Sequence, residues 1–258
     1  MGTWGGHVEN GQSTGGDWSA VETKQHINEL ELKAAFLTLQ CFCKTRNNIH
    51  VKLMIDNTTA IACINKFGSV RPKLMMGTQE LYEWANDRNI RLTAAHTAGI
   101  KNKVADRESR THNLDTEWCL KKNWFEWIVK QFGLPEVDLF ASRINKRLNV
   151  YVAWRPDPHA SGVDAFSMSW SGIYGYVFPP FSLMTRVLRK VEDEKATVLL
   201  VYPAWETQAW FPRLQKMLVR DPIPLPWDSI MLPQKPGQIH PLKVKLKLHV
   251  GNISGALV

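Results

Sequence analysis

Apolar side chains recur at Leu32, Phe36, Leu39 and Cys43, on one face of a helix spanning 27–43. The pattern then changes period. Val51, Leu53 and Ile55 alternate with Lys52 and Met54, which predicts a strand ending at Asp56. Thr58 or Thr59 can cap a short helix through Phe67. Pro72 suits the first turn of a further helix running to about Asn89, marked by Leu74, Leu81, Trp84 and Arg88. Ile90, Leu92 and Ala94 alternate as a second strand. A turn at Ala98–Gly99 leads into a helix carrying Val104, Ala105 and Asp106. Alternation of strands and helices predicts an α/β sheet domain.

A seam falls near Gln131–Glu136, where the segment Trp124 to Trp127 gives way to Gly133-Leu134-Pro135. Most of the prolines lie beyond it. Val137–Ser142 reads as a buried strand ending in small residues. Tyr176–Phe181 reads as a strand running into a Pro-Pro turn, then a helix with Leu183, Val187, Leu188 and Val191. Thr197–Tyr202 is another apolar run. Continuous apolar strands separated by helices predict a parallel sheet. Ligands to such sheets bind at the strands' carboxyl ends, where Asp138, Asp164, Pro179, Pro180 and Trp205 would gather. Leu242–Val250 alternates strictly, with Lys243, Lys245, Lys247 and His249 on one face. It reads either as an edge strand whose lysines guard against aggregation or as a strip that tracks phosphates. The boundaries drawn from these patterns are a first domain at 1–118, a helical linker at 119–135, a second α/β domain at 136–235 and a strand and tail at 236–258.

Composition narrows the setting. Hydrophobic residues at 44% and charged residues at 22% exclude a disordered or low-complexity chain. No apolar run is long enough to span a membrane as a helix, and the Gly-rich start lacks the order of a signal peptide. The expectation is an intracellular protein, nuclear or cytoplasmic, neither secreted nor bound to a membrane. Cys41, Cys43, Cys63 and Cys119 have neither disulfide nor zinc spacing and are expected as buried thiols in a reducing compartment. A net charge of +8 favours a polyanionic partner such as nucleic acid.

Three carboxylates stand at positions from which they could converge: Glu31 early in a helix, Asp56 at a strand end, and Asp106 ten residues after His96. Hard cations such as Mg²⁺ take oxygen ligands of this kind. Two such ions can activate a water for phosphodiester hydrolysis. Each residue also has an ordinary reading. Glu31 complements a helix dipole, Asp56 with Asn57 caps the next helix, Asp106 pairs with Arg107 or Arg110, and His96 is structural.

The segments His26-Ile-Asn-Glu-Leu-Glu-Leu-Lys33, Ile55-Asp-Asn-Thr-Thr-Ala60 and His96-Thr-Ala-Gly-Ile-Lys-Asn102-Lys-Val-Ala-Asp106-Arg-Glu-Ser-Arg110 resemble the ribonuclease H domain of DIRS-type retrotransposon polyproteins. The resemblance implies a ribonuclease H-like mixed sheet with helices over residues 1–118. It implies Glu31, Asp56 and Asp106 as ligands of two Mg²⁺ or Mn²⁺ ions, His96 as a proton-transfer or product-release group, and Asn57 and Asn102 near the nucleic acid. The implied substrate is an RNA–DNA hybrid cut on its RNA strand, told apart by the 2′-hydroxyl. The family carries a further Asp on its first strand. Here Thr3-Trp4-Gly5-Gly6 follows directly on Met1, and no acidic residue precedes Glu9. The first strand is expected to be truncated and the isolated chain weak or inactive.

Asp138-Leu-Phe-Ala-Ser142, Pro179-Pro-Phe181 and Tyr202-Pro-Ala-Trp205 resemble the methyltransferase-like domain that follows ribonuclease H in the same polyproteins, a Rossmann-like α/β fold. By that resemblance Asp138, Asp164, Pro179 and Pro180 would border a cofactor. Phe178 stands where active enzymes carry Asn or Asp, and a phenyl ring accepts no hydrogen bond. No Gly-rich loop follows Ser142. A packing or nucleic-acid-binding module is therefore expected, with neither S-adenosylmethionine nor methyl transfer. The resemblance places a reverse transcriptase upstream and a recombinase downstream. The competing expectation for the whole chain is a non-catalytic nucleic-acid-binding module of a degenerate mobile element.

Overall fold

A computed structural model describes residues 2–97 and 117–257. The chain is mixed α/β and divides into two compact units. One comprises 1–112 with 155–159; the other comprises 113–154 with 160–258.

The first unit opens with an antiparallel hairpin, β1 (Thr3–His7) and β2 (Ser13–Asp17). Its Trp4 and Trp18 are buried against Leu30 and Leu37 of helix α1 (Ile27–Cys43). Gly6 is what lets the hairpin lie so close: a Cβ there would fall 2.2 Å from the Thr38 hydroxyl. Between β2 and α1 the chain forms a reciprocal cap, Ser19 N–H to Glu22 Oε2 at 2.8 Å and Glu22 N–H to Ser19 Oγ at 3.3 Å. Lys33 then meets the same carboxylate at 2.7 Å. A second face of α1, with Leu32 and Leu39 buried and Phe36 and Cys43 beside them, packs on the other core of this unit.

That core is built on two parallel strands, β3 (His50–Ile55) and β4 (Arg91–His96), paired from His50–Arg91 to Ile55–His96. Helices α2 (Thr58–Asn65) and α3 (Pro72–Asn86) connect them. The alternation in β3 shows as one-sided burial: Lys52 and Met54 are exposed, Val51 and Leu53 half-buried, and Ile55 buried. The cap of α2 is Asn57 rather than Thr58 or Thr59, its Oδ1 accepting from Ala60 N–H at 2.9 Å. Asn65 at the other end of α2 grips β4. Its Nδ2 donates to the Ala94 carbonyl at 2.8 Å and its Oδ1 accepts the Ala94 N–H at 2.9 Å. An amide side chain thus supplies a pair of bonds that a further strand would otherwise make.

The second unit is built on a five-stranded mixed sheet in the order β11 (Ile223–Pro224), β13 (Leu248–Ser254), β10 (Thr197–Pro203), β9 (Tyr174–Val177), β6 (Val137–Asp138). Strands β6, β9 and β10 are parallel; β13 runs antiparallel to β10 and to β11. Strand β10 explains why its sequence is apolar without alternation. Val198, Leu200 and Tyr202 join the core formed with helices Met184–Asp193 and Phe211–Met217. Leu199 and Val201 join the opposite core, with Phe125, Ile128 and Phe132 of helix Lys122–Phe132. A strand covered on both faces has no polar face to show.

Three expectations need correction. The stretch 119–135, read as a linker, belongs to the second unit: Cys119–Leu120 (β5) pairs with Ile230–Met231 (β12), and the following helix packs on the sheet. Val137–Ser142 is a strand only at Val137–Asp138, because Ser142 N–H turns onto Asn145 Oδ1 at 2.6 Å. The alternating segment 242–250 is not an edge strand. Lys243–Leu246 winds as a short 3₁₀ turn, and Lys247 adopts a left-handed φ of 43°. The strand proper is Leu248–Ser254, buried between β10 and β11. With three residues per turn, the four-residue 3₁₀ segment sends Leu246 inward and leaves Lys243, Val244 and Lys245 exposed, so these lysines lie on no strand. Of the tail, only Leu248–Ser254 is an interior part of the second unit. Among the described residues no helix is long and apolar enough to cross a membrane.

Candidate functional site

The carboxyl ends of β3 and β4 point the same way because the strands are parallel. Asp56 follows the last residue of β3, and His96 is the last residue of β4, opposite Ile55. Thr97 N–H continues the ladder to the Ile55 carbonyl at 2.9 Å. Both Asp56 and His96 are exposed.

Glu31 reaches this edge from α1, and two asparagines bring it there. Helix α1 starts at His26, whose Nδ1 accepts from Asn28 N–H at 3.1 Å. Asn28 Oδ1 accepts from Asn57 Nδ2 at 2.9 Å, while Asn57 Oδ1 caps α2. One amide thus ties the start of α2 to the first turn of α1. Glu31 is three residues beyond Asn28, on the same helix face, and so lies beside Asp56. The proximity is registered electrostatically: partial burial, then the Asp56 carboxylate, pushes the Glu31 carboxyl above its ordinary range.

The structure therefore brings Glu31 and Asp56 together and sets His96 on the adjoining strand end. Asn57, expected near nucleic acid, is seen acting as cap and bridge. Asp106 and Asn102 lie outside the described residues. Among the described residues no group of three or more His, Cys, Asp or Glu side chains could hold a metal. Sequence reasoning missed Asn28 and His26, although both fall within the quoted His26–Lys33 segment.

In the second unit, Pro179 and Pro180 border a cavity of about 420 Å³ at the end of β9. Trp118, Phe178, Phe181, Ile230, His240 and Leu242 also line it. Asp138 and Asp164 do not. Asp164 has a φ of 59° and caps the 3₁₀ turn Ala165–Ser167, accepting from Phe166 N–H at 3.0 Å. Asp138 is 2% exposed, and its Oδ2 accepts from Arg147 N–H at 2.8 Å.

A buried polar cluster surrounds Asp138. The Arg147 guanidinium donates to the Leu120 carbonyl and to Cys119 Sγ, the latter at 2.8 Å. Burial pushes the Cys119 thiol up to about 12 and the Asp138 carboxyl up to about 6, the latter against opposing hydrogen bonds from Arg147 and Phe140. Asp138 Oδ1 and the Tyr176 hydroxyl are buried and have no hydrogen-bond partner among the described residues. Such a cluster holds the sheet edge, with Cys119, Asp138 and Tyr176 buried and Arg147 partly exposed. None of the four cysteines is in a disulfide; Cys63 and Cys119 are buried, whereas Cys41 and Cys43 are only partly so. Comparison of the chain with known protein families, with curated proteins and with solved structures finds no match.

Proposed function

We propose that the first unit is a ribonuclease H-like nuclease that hydrolyses the RNA strand of RNA–DNA hybrids, within a DIRS-type retrotransposon polyprotein. The convergence of Glu31 and Asp56 from α1 and the end of β3 carries the reading. The donor set fits a hard divalent cation. Both groups offer oxygen, and both burial and the neighbouring carboxylate disfavour charge on Glu31; a cation between them would relieve both effects. Glu31, Asp56 and Asp106 would hold the ions. Bound Mg²⁺ or Mn²⁺ supplies charge stabilisation and an activated water in phosphodiester hydrolysis. The chain's own residues do the rest. Asn57 and Asn28 fix the two carboxylates, and His96, exposed at the adjoining strand end, takes up or delivers a proton.

The second unit is proposed as a Rossmann-like, methyltransferase-like module without methyl transfer. Its three adjoining parallel strands with antiparallel β13 beyond them support this reading. So does buried Phe178 at the position where active enzymes carry a polar acceptor.

A non-catalytic nucleic-acid-binding module is the second reading, favoured by the chain's net charge of +8. One experiment separates them. The chain is extended at its N-terminus by a strand segment carrying the family's Asp, then given an end-labelled hybrid with Mg²⁺ or Mn²⁺. Metal-dependent loss of the RNA strand, abolished in Asp56→Asn and Glu31→Gln, supports the nuclease. Salt-sensitive binding without cleavage supports the binding module. Neither binding nor cleavage rejects both.

A further inference from the structure

The second unit has a cavity of about 640 Å³ at the carboxyl end of β10, within the range of small-ligand sites. Its floor is aromatic. Tyr202 and His249 stand opposite one another in the β10–β13 ladder, and their rings stack at 6.0 Å with 26° between their planes. Phe211, from the helix Phe211–Met217, and Leu218 add an apolar wall. Tyr202 is 1% exposed, and its hydroxyl makes no hydrogen bond among the described residues. The rim carries charges of both signs. Glu206 follows a tight turn in which Trp205 N–H bonds the Pro203 carbonyl at 2.9 Å. Asp221 belongs to the segment before β11, which Val219 N–H ties to the Asn252 carbonyl at 2.9 Å. Lys247 stands at the entry to β13, its carbonyl accepting Ala204 N–H at 2.9 Å. All three side chains are exposed, and among the described residues none has an ion-pair partner. Arg220 also borders the cavity, but its guanidinium is engaged elsewhere: it lies 4.0 Å from the centre of the Phe132 ring and donates to the Gln131 carbonyl. Among the described residues no three His, Cys, Asp or Glu side chains are placed to hold a metal, so Glu206, Asp221 and His249 do not form a metal site.

We propose that this cavity binds a small zwitterion of the α-amino-acid class with an apolar side group, its ammonium at Glu206 and Asp221, its carboxylate at Lys247, and its side group on Phe211 and Leu218. A ligand of one sign meets like charge on part of the rim. A polyanion faces Glu206 and Asp221, and an amine without a carboxylate faces Lys247. A zwitterion matches both signs. The Tyr202 hydroxyl can donate to the carboxylate or accept from the ammonium. The site shares no residue with the Glu31–Asp56 pair or with the cavity bordered by Pro179 and Pro180, and it does not rest on the proposed function.

The test is a saturation-transfer NMR titration of the full chain with three related ligands: L-phenylalanine; phenethylamine, which lacks the carboxylate; and hydrocinnamate, which lacks the ammonium. Phenylalanine should bind about fivefold more tightly than either, the scale of one partly exposed charge contact. Lys247→Gln should reduce phenylalanine to the affinity of phenethylamine and leave phenethylamine unweakened. Glu206→Gln combined with Asp221→Asn should reduce phenylalanine to the affinity of hydrocinnamate. All three positions are exposed, and circular dichroism checks that each variant keeps its fold. Tyr202→Phe should weaken phenylalanine binding without lowering the melting temperature, since the lost hydroxyl bonds no described residue. The comparison of the three ligands on the unaltered chain needs no variant and decides by itself. Phenylalanine bound no more tightly than either analogue, or no saturation transfer to any of the three, overturns the proposal. So does an unchanged phenylalanine affinity in either folded charge variant.

Discussion

Replacing Asp138 by Asn should make the second unit more stable at neutral pH. The carboxyl is wholly buried, and burial raises its pKa from an ordinary 3.8 to about 6 in the folded chain. Below pH 4 both folded and unfolded chains hold the proton. Between about 4 and 6 the folded chain alone keeps it, so rising pH favours unfolding across that window. Above 6 both states are charged and the full cost is present. A gap of about two pH units at about 1.4 kcal/mol each gives about 3 kcal/mol. Asn keeps an oxygen for the Arg147 N–H now bonded at 2.8 Å, and its amide can turn N–H toward the Tyr176 hydroxyl, which has no hydrogen-bond partner among the described residues. Urea denaturation of both proteins at intervals from pH 4 to 8 reads the difference. With two compact units, the relevant transition is the one that the substitution moves. The variant's advantage should be near zero at pH 4 and grow to about 3 kcal/mol by pH 7. A difference independent of pH, or a variant weaker at pH 7, refutes the reasoning.

Three further outcomes are expected. Asp56→Asn removes the neighbouring charge that helps raise Glu31, so the Glu31 carboxyl, followed by ¹³C NMR titration, should move down toward its ordinary range. Asn57→Ala strips the cap of α2 and the bridge to Asn28; a loss of about 1 kcal/mol in the first unit is expected from chemical denaturation. Gly255→Ala would place a methyl 2.0 Å from the Val191 carbonyl oxygen, a backbone atom that cannot swing aside. It should lower the melting temperature of the second unit, at a cost of about 1–3 kcal/mol.

The elements most legible in the sequence are those buried on one side. Strands β3 and β4 show their periods because each has a wetter face and a drier one, and helix α1 shows its period although it buries Leu32 and Leu39 in one core and Leu30 and Leu37 in another. Strand β10 was legible for the opposite reason, as a run with no wet face. The final strand was misplaced because Leu242–Lys247 imitates alternation, whereas Leu248–Ser254 contains Gly251 and Asn252 and looks weak by propensity. Gly251 is there because Leu218 and Pro222 press on it, which is a tertiary requirement. The site divides in the same way. Glu31, Asp56 and His96 could be proposed from their places in predicted elements. The Asn28–Asn57 bond, which spans 29 residues, has no periodic signature. Asp138 looked like a ligand at a strand end. Its partner Arg147 lies beyond an irregular turn that no pattern announces.

The place of β13 bears on synthesis. Strand β13, which follows β10 and β11 in the sequence, pairs over seven residues with β10 and also pairs with β11. Until it emerges, a wholly apolar β10 has an open flank, and nascent chains in that state are prone to join their neighbours edge to edge. Folding of this sheet therefore waits on β13, and chains shortened before Leu248 should collect in inclusion bodies.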